Sequence, residues 1–103
     1  MTYRNARLLA LAKGAPCLAA IPGICNGNPE TVVAAHSNWQ EHGKGVGHKV
    51  ADCYICFACE ACHSAIDHRT QRLEKDDRRY YWQRGFERTL LYLFETGKLK
   101  VTK

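Results

Sequence analysis

The stretch Cys59-Glu60-Ala61-Cys62-His63-Ser64-Ala65-Ile66-Asp67 decides how this chain is read. Two thiols three positions apart at a helix start can both reach one Zn²⁺, because the intervening turn brings their sulfurs to tetrahedral separation. A closed structural site wants a second pair. Cys17 and Cys25 supply it, at the two ends of a turn-rich loop with Pro22-Gly23 that can fold back as a knuckle. Cys53 and Cys56 offer a competing pair, but along a strand they point to opposite faces and do not easily chelate one ion. The expectation is a structural zinc on Cys17, Cys25, Cys59 and Cys62, with Cys53 and Cys56 as small hydrophobes in the core.

Outward from that motif the chain reads as one compact α+β domain. Asn5 to Lys13 has a capping Asn, helix formers and Gly14 as a stop, which predicts a short helix. The β-prone run Thr31 to His36 predicts a strand ending at His36. A basic, glycine-rich loop from His42 to Lys49 leads to a second predicted strand over Lys49 to Ala58. The segment from Cys59 to about Leu73 reads as helix. Another long helix follows, with Lys75-Asp76-Asp77 as its start and Trp82, Phe86, Leu90, Leu93 and Phe94 at helical spacing. Gly97 caps it, and Lys98 to Thr102 suggests a closing strand.

With 103 residues the chain fits a single domain, small enough that a metal or disulfide staple is expected. Six cysteines would suit three disulfides in a secreted protein. The amino-terminal apolar stretch is too short for a signal-peptide core, however, and is broken by Lys13. No run approaches the ~20 apolar residues of a membrane span. A reducing cytoplasm is therefore expected, where clustered cysteines bind metal more often than they pair. Fifteen Lys and Arg against ten Asp and Glu give a net charge of +5, which attracts polyanions but equally describes a solvated basic surface.

A second constellation combines histidine and carboxylate. His63 and Asp67 stand at i and i+4 on one helix face and can bind one cation together. His36 ends the first predicted strand and Asp52 starts the second, so a hairpin would bring all four near one another. Such a site suits phosphodiester hydrolysis: a divalent ion such as Mg²⁺ stabilises charge on the phosphate while a neutral imidazole takes a proton from the attacking water. Taken singly, Asp67 could pair with Arg69, and His36 could be a half-buried packing residue.

At these residues the chain resembles the HNH nuclease superfamily, whose ββα-metal unit has a His ending its first strand, a central Asn or Asp, and a helix opening with Cys-x2-Cys-His. More closely it resembles the short prophage-encoded nuclease family of the YbcO type. The matching stretches are Ile21 to Thr31, Ala35-His36, Ala58 to Asp67, His68-Arg69-Thr70 and Gly85-x2-Arg88-Thr89, over nearly the whole chain. The resemblance implies a single HNH-like domain over 1–103, with a ββα-metal core over about 31–73 and a C-terminal helix over about 76–97. It puts His36 at the general base and Asp52 at the position that orients the base or touches the metal. His63 and Asp67 fall at the ligands of the catalytic ion. Active members commonly carry a metal-binding Asp or His just before the base, where this chain has Ala35.

The implied partner is DNA, contacted by Lys44, His48 and Lys49 in the glycine-rich loop and by Arg69 beyond the metal helix. Trp82, Tyr92 and Phe94 offer a homodimer face on the last helix. The leading expectation is a metal-dependent DNA endonuclease, and two alternatives compete with it. One is a zinc-stapled module that binds DNA or protein without chemistry, favoured by Ala35. The other is a redox or metal-storage protein using Cys53 to Cys62, which would need labile thiols.

Overall fold

The fold follows from where each segment finds partners for its backbone. The computed structural model describes residues 2–45 and 50–102. Along the chain come α1 (Ala6–Ala10), a 3₁₀ turn (Pro29–Thr31), β1 (Val33–His36), a second 3₁₀ turn (Gln40–His42), β2 (Ile55–Ala58), α2 (Glu60–Ile66) and α3 (Lys75–Glu95). The two strands pair antiparallel, Val33 opposite Ala58 and His36 opposite Ile55. Among the described residues no helix is long and apolar enough to cross a membrane.

Local chemistry accounts for the element ends. Asn5 caps α1 by accepting the Leu8 amide at 3.1 Å. The expected strand over Thr31 to His36 begins only at Val33, because Asn28 caps a 3₁₀ turn through the Glu30 amide. The second strand begins at Ile55 rather than Lys49, so Asp52 lies in a turn before it. Helix α2 is shorter than expected: it stops at Ile66, and His68 and Gln71 adopt positive φ, which breaks a right-handed helix. The chain after Gly97 forms no strand over the described residues 98–102; the Leu99 amide instead bonds the Leu93 carbonyl at 3.0 Å.

A two-stranded sheet is marginal by itself, and here both sides of β2 are covered. The outer edge is closed at Phe57, whose carbonyl accepts the Leu18 and Ala19 amides at 2.8 and 3.3 Å. Its own amide donates to the Thr89 hydroxyl of α3 at 2.9 Å, and that hydroxyl donates to the Gly85 carbonyl at 2.7 Å. The buried stripe of α3 is therefore Trp82, Gly85, Thr89 and Leu93. Leu90 and Phe94, which the apolar spacing would put inward, remain 44% and 48% exposed. The anticipated dimer face loses Trp82, which is fully buried with its indole N–H on the Ala35 carbonyl at 2.9 Å.

Gly85 is small because α3 crosses β2 closely. A methyl group there would overlap Cys56 Sγ and lie 3.2 Å from Ala19 Cα. Cys56 is fully buried as the sequence suggests, whereas Cys53 is exposed and is no core residue. We expect Gly85→Ala to destabilise the protein by about 1–3 kcal/mol in denaturant unfolding, the range for overpacking. Adding Cys56→Ala should recover part of that loss by vacating the sulfur's space.

Candidate functional site

The sulfurs of Cys17, Cys25, Cys59 and Cys62 all lie within 4.8 Å of one another. Two come from the loop that Leu18 and Ala19 pin to β2, and two from the first turn of α2. Backbone amides point at the sulfurs. Cys17 Sγ accepts from Cys59 at 3.2 Å and Ala20 at 3.4 Å, and Cys59 Sγ accepts from Asn26 and Cys62, each at 3.4 Å. Such N–H···S bonds stabilise thiolate charge, so the donor set fits a tetrahedral ion such as zinc in chemistry and in spacing. The Cys17 thiol is drawn down to about 4, chiefly by the hydrogen bond from Cys62, with burial opposing and the Cys59 and Ala20 amides assisting. The same contact, together with burial, pushes Cys62 up. Burial also raises Cys25 and Cys56.

The histidines and carboxylates form two pairs. His36 Nε2 lies 2.9 Å from Asp52 Oδ1, and His63 Nε2 lies 2.9 Å from Asp67 Oδ2. Among the described residues only the four cysteines bring three or more potential metal-ligand atoms within 4.8 Å, so the four His and Asp side chains do not gather at one point. Asn38 connects the pairs through the chain: two residues beyond His36, its side-chain amide donates to Asp67 Oδ1 at 2.8 Å.

Asp52 is buried, at 2% exposure, and is nonetheless fully partnered. Its Oδ2 accepts the Asn5 amide at 2.7 Å, while Oδ1 meets His36 and, at 3.3 Å, the Arg4 guanidinium. Burial alone would raise its pKa, but the Asn5 amide, His36 and Arg4 together hold it below the usual carboxylate range. Asp67 behaves alike: burial is outweighed by His63, Asn38 and Arg69. With Asp52 ionised, its contact with His36 calls for a proton on Nε2 and leaves Nδ1 as the lone-pair nitrogen of a neutral ring.

Of the expected DNA contacts, Lys44 lines an open cleft of about 290 Å³ with Arg4, His36 and Val50. Arg69 is largely exposed and reaches Asp67 at 3.4 Å. His48 and Lys49 lie outside the described residues. Arg4 and Asn38 escaped the sequence reading, which saw Asn5 only as a helix cap. Arg4 and Asn5 meet Asp52 across nearly half the chain, and no local pattern announces them.

A family model described as "Putative nuclease YbcO" matches residues 6–98. The chain belongs to the YbcO family. The relative named "Putative nuclease YbcO" from Escherichia coli strain K12 is 38% identical over 95 residues, 92% of this chain and 98% of its own length. A relative of the same name from Enterobacteria phage 82 matches to the same extent. The solved structure titled "Structure of a putative bacteriophage protein from Escherichia coli str. K-12 substr. MG1655" superposes with a TM-score of 0.72. It is 35% identical, with 86% of this chain and 98% of that one covered.

Two outcomes follow from the geometry. Native mass spectrometry should find one zinc per chain, lost in Cys59→Ser and Cys17→Ser and retained in Cys53→Ser, whose side chain is exposed. Asp52 is held below its unfolded value of ~3.9, so its contribution to stability is present above about pH 4 and is lost as pH falls through the folded value. Denaturant unfolding of wild type and Asp52→Asn should therefore differ most near pH 6, and the gap should close below about pH 4.

Proposed function

We propose that this chain is a metal-dependent DNA endonuclease of the HNH, or ββα-metal, type, of phage or prophage origin and at work in the bacterial cytoplasm. The observation that carries this reading is the His36–Asp52 pair at the end of β1, coupled through Asn38 to a helix that bears His63 and Asp67. The names of the YbcO relatives support nuclease chemistry. The residues from β1 through α2 form the catalytic core, with α3 as its buttress.

Each residue then has a role that its surroundings prepare. Asp52 fixes the tautomer and orientation of His36, whose Nδ1 takes the proton of the attacking water. His63 Nε2 and Asp67 Oδ2 stand 2.9 Å apart, a separation that two ligands of one small divalent ion can adopt. That ion, Mg²⁺ or another divalent cation, would neutralise charge developing on the phosphate and the departing oxygen. Cys17, Cys25, Cys59 and Cys62 hold the separate structural zinc. Lys44 and Arg69 contact the DNA backbone, and His48 and Lys49 are proposed to join them.

Ala35 favours a second reading, a zinc-stapled module that binds DNA or protein without cutting. Strand alternation turns Ala35 inward, where it is fully buried, while His36 faces the cleft. A carboxylate at position 35 would enter the core, so the ion has fewer protein ligands to draw on. A nicking assay on supercoiled plasmid with Mg²⁺, Mn²⁺ or Ni²⁺ separates the two readings. The endonuclease reading expects cleavage by wild type and a loss of about 10²–10⁴ in rate for His36→Ala, the usual value of a general base. His63→Ala should lose activity while keeping its zinc. Absence of cleavage with every ion, from folded zinc-loaded protein, would establish the binding module instead.

A further inference from the structure

The cleft beside His36 is walled by two cations from distant parts of the chain. Arg4 precedes α1, and Lys44 follows the second 3₁₀ turn. Arg4 is held at one end only: its Nη1 bonds the Val50 carbonyl at 3.0 Å and lies 3.3 Å from Asp52 Oδ1. Its side chain remains 49% exposed, and Nη2 and Nε have no hydrogen-bond partner among the described residues. Fixing one edge of a planar guanidinium orients the other and reduces the entropy lost when that edge binds an anion.

The local charge does not cancel. The carboxylate that Arg4 and His36 share, Asp52, is buried and does not itself line the cleft. Lys44 has no ion-pair partner among the described residues. An anion entering the cleft therefore meets two cationic side chains and the His36 ring, with no exposed carboxylate among the residues that line it. At about 290 Å³ the space is near the small end of ligand pockets, ~300 Å³, and suits a phosphate with its flanking sugar.

We propose that Arg4 and Lys44 form a clamp for a backbone phosphodiester of DNA beside the His36 ring, with Arg4 also bracing Asp52. Arg4 thereby acts twice, as a phosphate contact and as a positioning residue for the His36–Asp52 pair. The clamp rests on the endonuclease reading for its role in cleavage, but its binding step can be measured without any cleavage.

The test uses the full zinc-loaded chain and a short fluorescent DNA duplex without added divalent cation, with anisotropy read over a range of salt concentrations. Arg4→Ala and Lys44→Ala should each lower the slope of log K against log salt by about 0.9, the value of one phosphate contact. Each should also weaken binding roughly tenfold near 0.1 M salt. Arg4→Lys should keep the slope, which a merely structural role of Arg4 does not require. Lys100→Ala, which changes an exposed cation outside the cleft, should leave the slope unchanged. Lys44→Ala carries the test by itself if Arg4→Ala loses the Asp52 brace and unfolds. Unchanged slopes in folded Arg4→Ala and Lys44→Ala, or an equal loss in Lys100→Ala, overturn the clamp. Full salt-dependent binding by wild type, with the expected losses in the variants but no plasmid nicking, supports the clamp and overturns only the endonuclease reading.

Discussion

The convergence of four sulfurs from two segments, Cys17 and Cys25 with Cys59 and Cys62, is the constraint on which the other elements lean. Strands of four residues and a helix of seven bury too little to hold each other in place. A metal ion held by four such thiolates would bind only the folded chain, so its binding free energy would become folding free energy. The amides of Ala20, Asn26, Cys59 and Cys62 are already turned toward the sulfurs. Once the knuckle loop is tied to the first turn of α2, the direction of that helix is set. His63 and Asp67 are fixed with it.

Helix α3 completes what the cysteine cluster begins. Thr89 accepts the Phe57 amide, Gly85 lets the helix approach Cys56, and Trp82 bonds the Ala35 carbonyl. Arg84 reaches the knuckle itself, donating to the Ala19 and Ala20 carbonyls at 2.7 and 3.1 Å. One helix thus satisfies backbone groups in both strands and in the loop that carries Cys17 and Cys25. Burying those groups unpaired would cost about 1–3 kcal/mol each. This explains why Gly85 and Thr89 join Trp82 and Leu93 in the buried stripe, while Leu90 and Phe94, which apolar spacing would also place there, stay exposed.

Electrostatics shapes the other half of the molecule. A buried carboxylate is costly unless it is fully partnered, and Asp52 is partnered by Asn5, His36 and Arg4. The segment before α1 therefore belongs to the His36 site rather than to a loose terminus. The same ionised carboxylate decides which nitrogen of His36 keeps its lone pair, linking the packing of the first residues to the chemistry the ring can perform.

The cysteine spacing, the i and i+4 placement of His63 with Asp67, the strand ending at His36 and the long last helix could all be read from the sequence, because each depends on local geometry. The element ends were less legible. The second strand is shorter than its β-prone run, since β1 is only four residues long. Helix α2 stops early at the positive φ of His68, and the exposure of Cys53 gave no local sign. By itself the sequence determined which cysteines, histidines and carboxylates are available and which of them share a helical turn. Only the tertiary structure decided that His36 and His63 belong to separate carboxylate pairs, that Ala35 faces the core, and that Arg4 and Asn5 hold Asp52. The contacts of Asp52 with Arg4, Asn5 and His36 join residues from 16 to 48 positions apart, and such partners are chosen by packing and by the need to satisfy a buried charge, neither of which has a period along the chain.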